Sequence, residues 1–141
     1  MTSSNKLSTA VKALTYLGKE FPVPKSSSEI SEAIGVNASK LRQILSSLCK
    51  AEIVASVKGT QGGFVLLQDF TSLSLYEIYA ALDEKKIIDM DVAKANNNET
   101  KQLNDYFNHF FWSIQKEIED RMKTIKLNEI SDNLENNSRK E

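Results

Sequence analysis

The chain has 141 residues, of which 40% are hydrophobic and 26% charged, and its net charge is −1. This composition is typical of one folded domain, or of a small domain with an appendage, and excludes a disordered chain. A single His and a single Cys exclude a zinc site closed by one chain, a disulfide framework, and a cysteine-ligated iron–sulfur cluster within one chain. No apolar run reaches roughly 18 residues and the N-terminus lacks a secretory pattern, so we expect a cytoplasmic protein without a membrane span.

Charge is distributed unevenly between the two halves of the chain. Residues 1–70 carry eight Lys and Arg against five Asp and Glu, whereas residues 71–141 carry ten against fourteen. A basic first half could meet an anion, and an acidic second half then has another role. Solvated helix faces can produce such a difference by chance, so the asymmetry alone does not decide the function.

The first two predicted helices are separated by a stiff, proline-containing connection. Hydrophobic residues recur at helical spacing over residues 7–21, which predicts an amphipathic helix that ends before a proline. Ser26 and Glu29 fit a capping box at the start of a second, short helix. Gly35 is predicted to end that helix as a left-handed cap, and Asn37 can cap the next one.

The third predicted helix has two contrasting faces. Its buried stripe is predicted at Leu41, Ile44, Leu45 and Leu48. Its other face holds Ser39, Arg42, Gln43 and Ser46, at spacings that make the four side chains project together. All four can donate hydrogen bonds and none is acidic. A merely solvated face is the alternative, although such faces more often show Glu/Lys pairs.

A β-hairpin and a fourth helix follow. Residues 53–57 and 64–67 are rich in β-branched and aromatic side chains and predict two strands. Three Gly within residues 58–63 predict the loop between them. Ser74 and Glu77 fit a second capping box, which opens the fourth helix.

The C-terminal part predicts a long helix that begins near residue 99. About 25 residues would span roughly 38 Å. Five of the eleven aromatic residues lie between residues 106 and 112, spread around the helix. A helix that is apolar on several sides is buried on several sides, so we expect a second copy of the chain to cover it. The predicted dimer contacts are Leu103, Phe107, Phe110, Phe111, Ile114, Ile118 and Met122.

The order of these elements predicts a mainly α protein with a small β-hairpin, namely a winged helix-turn-helix domain with a long C-terminal dimerisation helix. We assign the winged domain to residues 1–83, a loop to 84–98, dimerisation helices to 99–135 and a frayed tail to 136–141. In such a domain the helix after the turn enters the major groove of duplex DNA, and the Gly-rich wing reaches the backbone or the minor groove.

Four short motifs identify a family. They are Leu-Ser-Thr at 7–9, Glu-Ile-Ser-Glu at 29–32, Leu-Arg-Gln-Ile-Leu at 41–45, and Ser-Val-Lys-Gly-Thr-Gln-Gly-Gly-Phe at 56–64. Together they resemble the Rrf2 family of bacterial winged-helix repressors, and the order of the remaining helices fits as well. The wing motif is the most specific, because its three Gly stand at fixed offsets.

The resemblance implies a homodimer that binds double-stranded DNA. It places Ser39, Arg42 and Gln43 where side chains approach bases, and Lys58 where the family usually has Arg. Thr9 and Lys40 fall at plausible phosphate contacts. The full set of predicted DNA-binding residues is Thr9, Ser39, Lys40, Arg42, Gln43, Ser46, Lys58, Gly59, Thr60 and Gln61.

The main departure from the family concerns cysteine. Cluster-binding members carry three Cys in the loop before the long helix, and this loop has none. Thiolates are the essential ligands of such clusters, so we predict neither a cofactor nor a metal. Cys49 is interpreted as a half-buried apolar residue, or alternatively as a redox switch whose thiol pKa is lowered by Lys50. His109 is interpreted as a packing or hydrogen-bonded residue.

The resulting hypothesis is a homodimeric transcription regulator, most simply a repressor, that reads a pseudo-palindromic operator. The alternative is a winged-helix module that binds another protein without specific DNA binding. An enzyme is the weakest option, and we predict that the protein is not one. The sequence contains no paired carboxylates, no nucleophile–base set and no phosphate-cradling loop.

Overall fold

The computed structural model of the chain describes residues 3–82 and 97–140. Its elements are α1 (Ser3–Glu20), α2 (Ser27–Ile34), α3 (Ala38–Lys50), β1 (Val54–Val57), β2 (Gly63–Leu66), α4 (Leu75–Ala81), α5 (Asn98–Lys123) and α6 (Leu127–Lys140). This order confirms the predicted winged helix-turn-helix domain with a long C-terminal helix. None of the described helices is both long and apolar enough to cross a membrane.

The hydrophobic core lies where α1, α3 and α4 meet the base of the hairpin. The predicted stripe of α3 is buried throughout, and Leu14 and Leu17 of α1 lie opposite it in the same cluster. Leu127, the first residue of α6, is also fully buried there. The core therefore holds α3 by one face only, and the other face of that helix is left to solvent.

The helix ends follow the local signals in the sequence. Ser26 and Glu29 form the predicted capping box, and the backbone N–H of Ser26 holds the pKa of the Glu29 carboxyl below its usual value. Ser74 and Glu77 form the second box. Gly35 adopts the left-handed conformation at φ 70°. These three predictions are confirmed, since each depends on hydrogen bonds between residues close in the chain.

The wing contains one pairing that the sequence did not predict. β1 and β2 are antiparallel, with Val54 opposite Leu66. In addition, Lys25 exchanges two backbone hydrogen bonds with Phe64, at 3.0 and 2.7 Å, so the segment after α1 lines the free edge of β2. Gly63, at φ 149°, permits this approach, because a Cβ atom there would collide with the Lys25 carbonyl group.

Two boundaries differ from those expected. α1 begins at Ser3 and not at residue 7, since polar residues can form the first turn of a helix without any apolar signal. α6 continues to Lys140, past the boundary expected at residue 135. Leu127 and Ile130 anchor the first turn of that helix to the core, and the later turns extend the helix from this anchored turn. The predicted loop falls largely on residues 83–96, which lie outside the described residues.

Leu45→Ala tests the attachment of α3 to the core. Leu45 is fully buried, so we expect the substitution to lower the free energy of unfolding by about 2–5 kcal/mol. Leu67→Ala is the matched control, because Leu67 is 56% exposed and its loss should cost less than about 1 kcal/mol. Urea denaturation followed by circular dichroism measures both values, and equal losses would contradict the assigned core.

Candidate nucleic-acid interface

The exposed face of α3 is built by a cap at one end and a buried stripe along one side. Asn37 accepts hydrogen bonds from the backbone N–H groups of Ser39 and Lys40, at 2.9 and 3.3 Å, which fixes the first turn. The leucine-rich stripe then faces the core. The four predicted base-reading residues, Ser39, Arg42, Gln43 and Ser46, are all exposed on the opposite side. The structure therefore brings this predicted set together on one surface.

A basic hollow lies beside the start of α3. It has a volume of about 280 Å³ and lies between the first turns of α1 and the turn that precedes α3. Lys12 and Lys40 line it and are both exposed. Lys12 is not among the DNA contacts predicted from the sequence, although this residue lies one turn after Ser8 and Thr9 on the same helix.

Thr9 has less contact with solvent than its predicted role requires. It is only 9% exposed and forms part of the wall of the basic hollow. A phosphate could reach its hydroxyl only through the hollow, whereas Ser8 and Lys12 project directly from the surface. The sequence pattern could not show this, because a threonine can belong to either side of an amphipathic helix.

The wing presents a short polar tip. Lys58, Gly59, Thr60 and Gln61 are all exposed, and Gly62 closes the turn by donating its N–H to the Gly59 carbonyl at 3.1 Å. The base of the wing is tied to α3, because the Ile53 N–H donates to the Leu48 carbonyl at 3.0 Å. α3 is the helix predicted to enter the major groove, and we refer to it as the recognition helix. The same buried core thus holds this helix and the wing.

Cys49 lies half-buried at the end of α3. Burial raises the pKa of its thiol, which is the opposite of the effect that a redox switch activated by Lys50 requires. The neighbouring Lys50 is exposed to solvent. The geometry favours the apolar packing role for this residue.

A second surface runs along the N-terminal half of α5. Five large side chains are 45–66% exposed there: Leu103, Tyr106, Phe107, Phe110 and Trp112. Phe107 stacks on Phe111 with ring centroids 6.3 Å apart. His109 is also exposed, so the single chain does not give it the predicted packing role.

The other predicted dimer residues differ in burial according to their position along α5. Phe111, Ile114 and Ile118 are half-buried. Met122 is 7% exposed and already belongs to the interior of the single chain, so it leaves the predicted set. Its helical spacing matched that of the aromatic residues, but spacing cannot distinguish a face covered by the rest of the same chain from a face covered by a second copy.

The side chains do not fit an iron–sulfur cluster. Cys49 is the only cysteine of the sequence, and it lies in the winged domain and not before the long helix. Within residues 3–82 and 97–140, no group of three or more His, Cys, Asp and Glu side chains could hold a metal ion. The chain itself therefore lacks the thiolate ligands that such clusters need.

The recognition helix, the wing and the long helix define the class of protein: a winged-helix transcription regulator. The sequence profile of the Rrf2 family, described as an iron-dependent transcriptional regulator, matches residues 3–133. The HTH-type transcriptional regulator IscR of Pectobacterium atrosepticum is 31% identical over 129 residues, which cover 90% of this chain and 75% of that protein. The chain belongs to the Rrf2 family, and like its relatives it is a regulator and not an enzyme.

Solved structures agree with this assignment. The structure of T. potens IscR matches with a TM-score of 0.63 and 25% identity, over 92% of this chain and 85% of that one. CymR, the global cysteine regulator of B. subtilis, matches with a TM-score of 0.63 and 19% identity, over 90% of this chain and 93% of that one. The second likeness concerns the fold alone.

The presence of a single cysteine leads to a prediction about iron–sulfur cluster binding. Anaerobic incubation with ferrous iron, sulfide and a thiol reductant should leave the purified protein without a visible absorbance band, because one cysteine per chain cannot ligate a cluster. A cluster-type chromophore at one equivalent per chain would contradict this. An IscR that contains the family's cysteines, treated in parallel, serves as the positive control.

Proposed function

We propose that this regulator is a homodimeric repressor that binds a pseudo-palindromic operator, and that it acts in the bacterial cytoplasm, where chromosomal DNA lies. The observation that carries the proposal is the exposed face of α3, which has four hydrogen-bond donors and no acidic side chain above a fully buried stripe. The repressor role is inferred from the resemblance to the family's repressors.

Base reading is assigned to two side chains of α3. The Gln43 amide can form a bidentate pair with adenine, and the Arg42 guanidinium can do so with guanine. Ser39 and Ser46 lie on the same face and can donate to either a base or a phosphate. Because α3 is rigidly packed by its leucine stripe, these groups keep a fixed spacing along the groove.

Backbone contacts are assigned to the basic hollow and to the wing. Lys12 and Lys40 would hold a phosphate at the hollow. Lys58 supplies one positive charge at the wing. Gly59, which has no side chain, lets the backbone of the tip come close to the DNA, and the exposed Thr60 and Gln61 side chains can donate hydrogen bonds to phosphates. Lys keeps the charge of the Arg usual in the family but lacks its planar fork, so phosphate contact is favoured over minor-groove reading.

Dimerisation is assigned to the seam formed by Leu103, Phe107, Phe110 and Ile114. These residues are separated by four, three and four positions, which is the spacing of a helix–helix seam. A seam along one helix can pair with its own copy across a two-fold axis. Two recognition helices related by that axis would read half-sites one helical turn, or a multiple of it, apart.

The alternative is a module that binds a protein partner through the same surfaces. The net charge of −1 and the acidic second half of the chain are the observations in its favour. The two functions differ in their dependence on salt, because only DNA binding releases condensed counterions from phosphates.

Duplex binding tests the DNA-binding surface. A randomised duplex library should be enriched for paired half-sites by the full chain, and affinity for the enriched duplex should fall steeply with salt. Each substitution removes two phosphate contacts from a homodimer on its operator. Lys12→Ala, Lys40→Ala and Lys58→Ala should therefore each reduce the slope of log K against log salt by about two. Gln43→Ala should relax the preference at one base pair of each half-site, by about 1–3 kcal/mol per base pair. Fluorescence anisotropy at several salt concentrations measures these values.

Lys19→Ala is the matched control for this series. Lys19 is exposed on the same helix as Lys12 but lies in its last turn, away from the basic hollow. Its slope should equal that of the unaltered protein. A chain that ignores duplex DNA at low salt would overturn the proposed function and favour the protein-binding module.

Oligomeric state tests the seam. The unaltered chain should sediment as a dimer at micromolar concentration, and Phe107→Glu or Phe110→Glu should produce monomers, because a charge in an apolar seam is strongly disfavoured. Leu67→Glu, at a leucine outside α5 that is 56% exposed against 45% and 46% for the two phenylalanines, should remain dimeric. A monomeric unaltered chain, or dimeric Glu variants, would contradict the assignment.

A further inference from the structure

The C-terminal half of α5 is anchored to α4 at successive points. After the helix ends, Ile125 accepts from the Leu75 N–H and Leu127 donates to the Leu73 carbonyl, both at 2.9 Å. One turn earlier, the Lys123 ammonium lies 4.8 Å from the centre of the Tyr76 ring. These contacts hold the end of α5 beside the start of α4.

A further anchor between α5 and α4 is a buried hydrogen bond. Gln115 and Tyr79 are 2% and 3% exposed, and the Gln115 amide donates to the Tyr79 hydroxyl at 3.0 Å. The same amide nitrogen donates to the Glu119 carboxylate at 3.1 Å. Every residue of α5 before Gln115 is exposed or half-buried. Gln115 is therefore the first residue along α5 whose side chain is buried against the winged domain.

Because of the position of this contact, a small change in angle there would displace the far end of α5 by several ångströms. Residues 98–114 precede Gln115 and span about 25 Å at about 1.5 Å per residue, so a tilt of about 10° there would displace the far end by about 4 Å. That projecting part carries the seam proposed for dimerisation. Any change in its tilt would alter the separation of the two recognition helices in a dimer.

We propose that the hydrogen bond between Gln115 and Tyr79 is a positioning contact, which fixes the angle between the dimer helix and the winged domain and thereby the separation of the two α3 helices. The inference rests on the proposed homodimer. A hydrogen bond restricts both distance and angle, whereas an apolar contact of the same size tolerates sliding and tilting. Gln115 and Tyr79 act through α5, since neither lies on the DNA-binding face.

Pulsed electron paramagnetic resonance on the full chain tests the proposal. Cys49→Ser removes the native thiol, and Lys50→Cys places one nitroxide label per chain at the exposed end of α3. The labelled dimer should give one narrow distance distribution. Tyr79→Phe, which removes one oxygen atom, and Gln115→Leu should each broaden or shift that distribution by several ångströms.

A combined variant separates positioning from stability. Tyr79→Phe together with Gln115→Leu replaces the polar pair by an apolar contact, so thermal stability should recover towards that of the unaltered chain while the distance distribution stays broad. Tyr76→Phe and Gln102→Leu are the matched controls on the same two helices, and both should keep the narrow distribution.

Two results would overturn the inference. Dimers of the Tyr79 and Gln115 variants with the same narrow distribution as the unaltered chain would show that the contact does not set the angle, and would leave the proposed dimer intact. If the labelled chain that carries only Cys49→Ser and Lys50→Cys gave no inter-label distance and sedimented as a monomer, no dimer would form, and both proposals would then fall.

Discussion

The arrangement of the molecule depends on the pairing of residues 73–75 with residues 125–127. This pairing places the end of α5 beside the start of α4, so the two helices must run antiparallel. α4 has seven residues and α5 has twenty-six, and most of the long helix therefore extends beyond its neighbour. The aromatic residues lie on that extension. Their exposure is thus a consequence of where α5 is anchored, and the proposed second copy of the chain would cover them.

The face of α3 proposed to bind DNA depends on the core in a similar way. The leucine stripe of α3 leaves one possible orientation for the polar residues, and the hydrogen bond from Ile53 to Leu48 places the wing directly after that helix. The pairing of Lys25 with Phe64 then supports the free edge of the hairpin. A wing with only two short strands would be marginal alone, so this support matters for holding the tip at a fixed distance from α3.

The sequence predicts features that depend on residues close together in the chain. It does not predict features that depend on residues far apart in the chain. Caps such as Ser26 with Glu29 and the two faces of α3 follow from spacing within one or two turns, and the structure confirms both. The Lys25 pairing joins residues far apart in the chain and leaves no periodic signal. Met122 has the spacing of a dimer contact but packs inside its own chain. Spacing defines a face of a helix, whereas only the fold determines what covers that face.

The buried side chain at position 115 could serve either to orient α5 or to stabilise its packing, and the chemistry of an amide favours the first explanation. A leucine there could pack against α4 without any need for hydrogen-bond partners, whereas a buried amide is destabilising unless its groups are satisfied. The structure provides those partners in Tyr79, from the winged domain, and in Glu119, from the next turn of α5. Such a pair adds little net stability over an apolar contact, but it admits few geometries. An amide at the point where α5 leaves the core is thus better explained by a need for one defined angle than by a need for tighter packing.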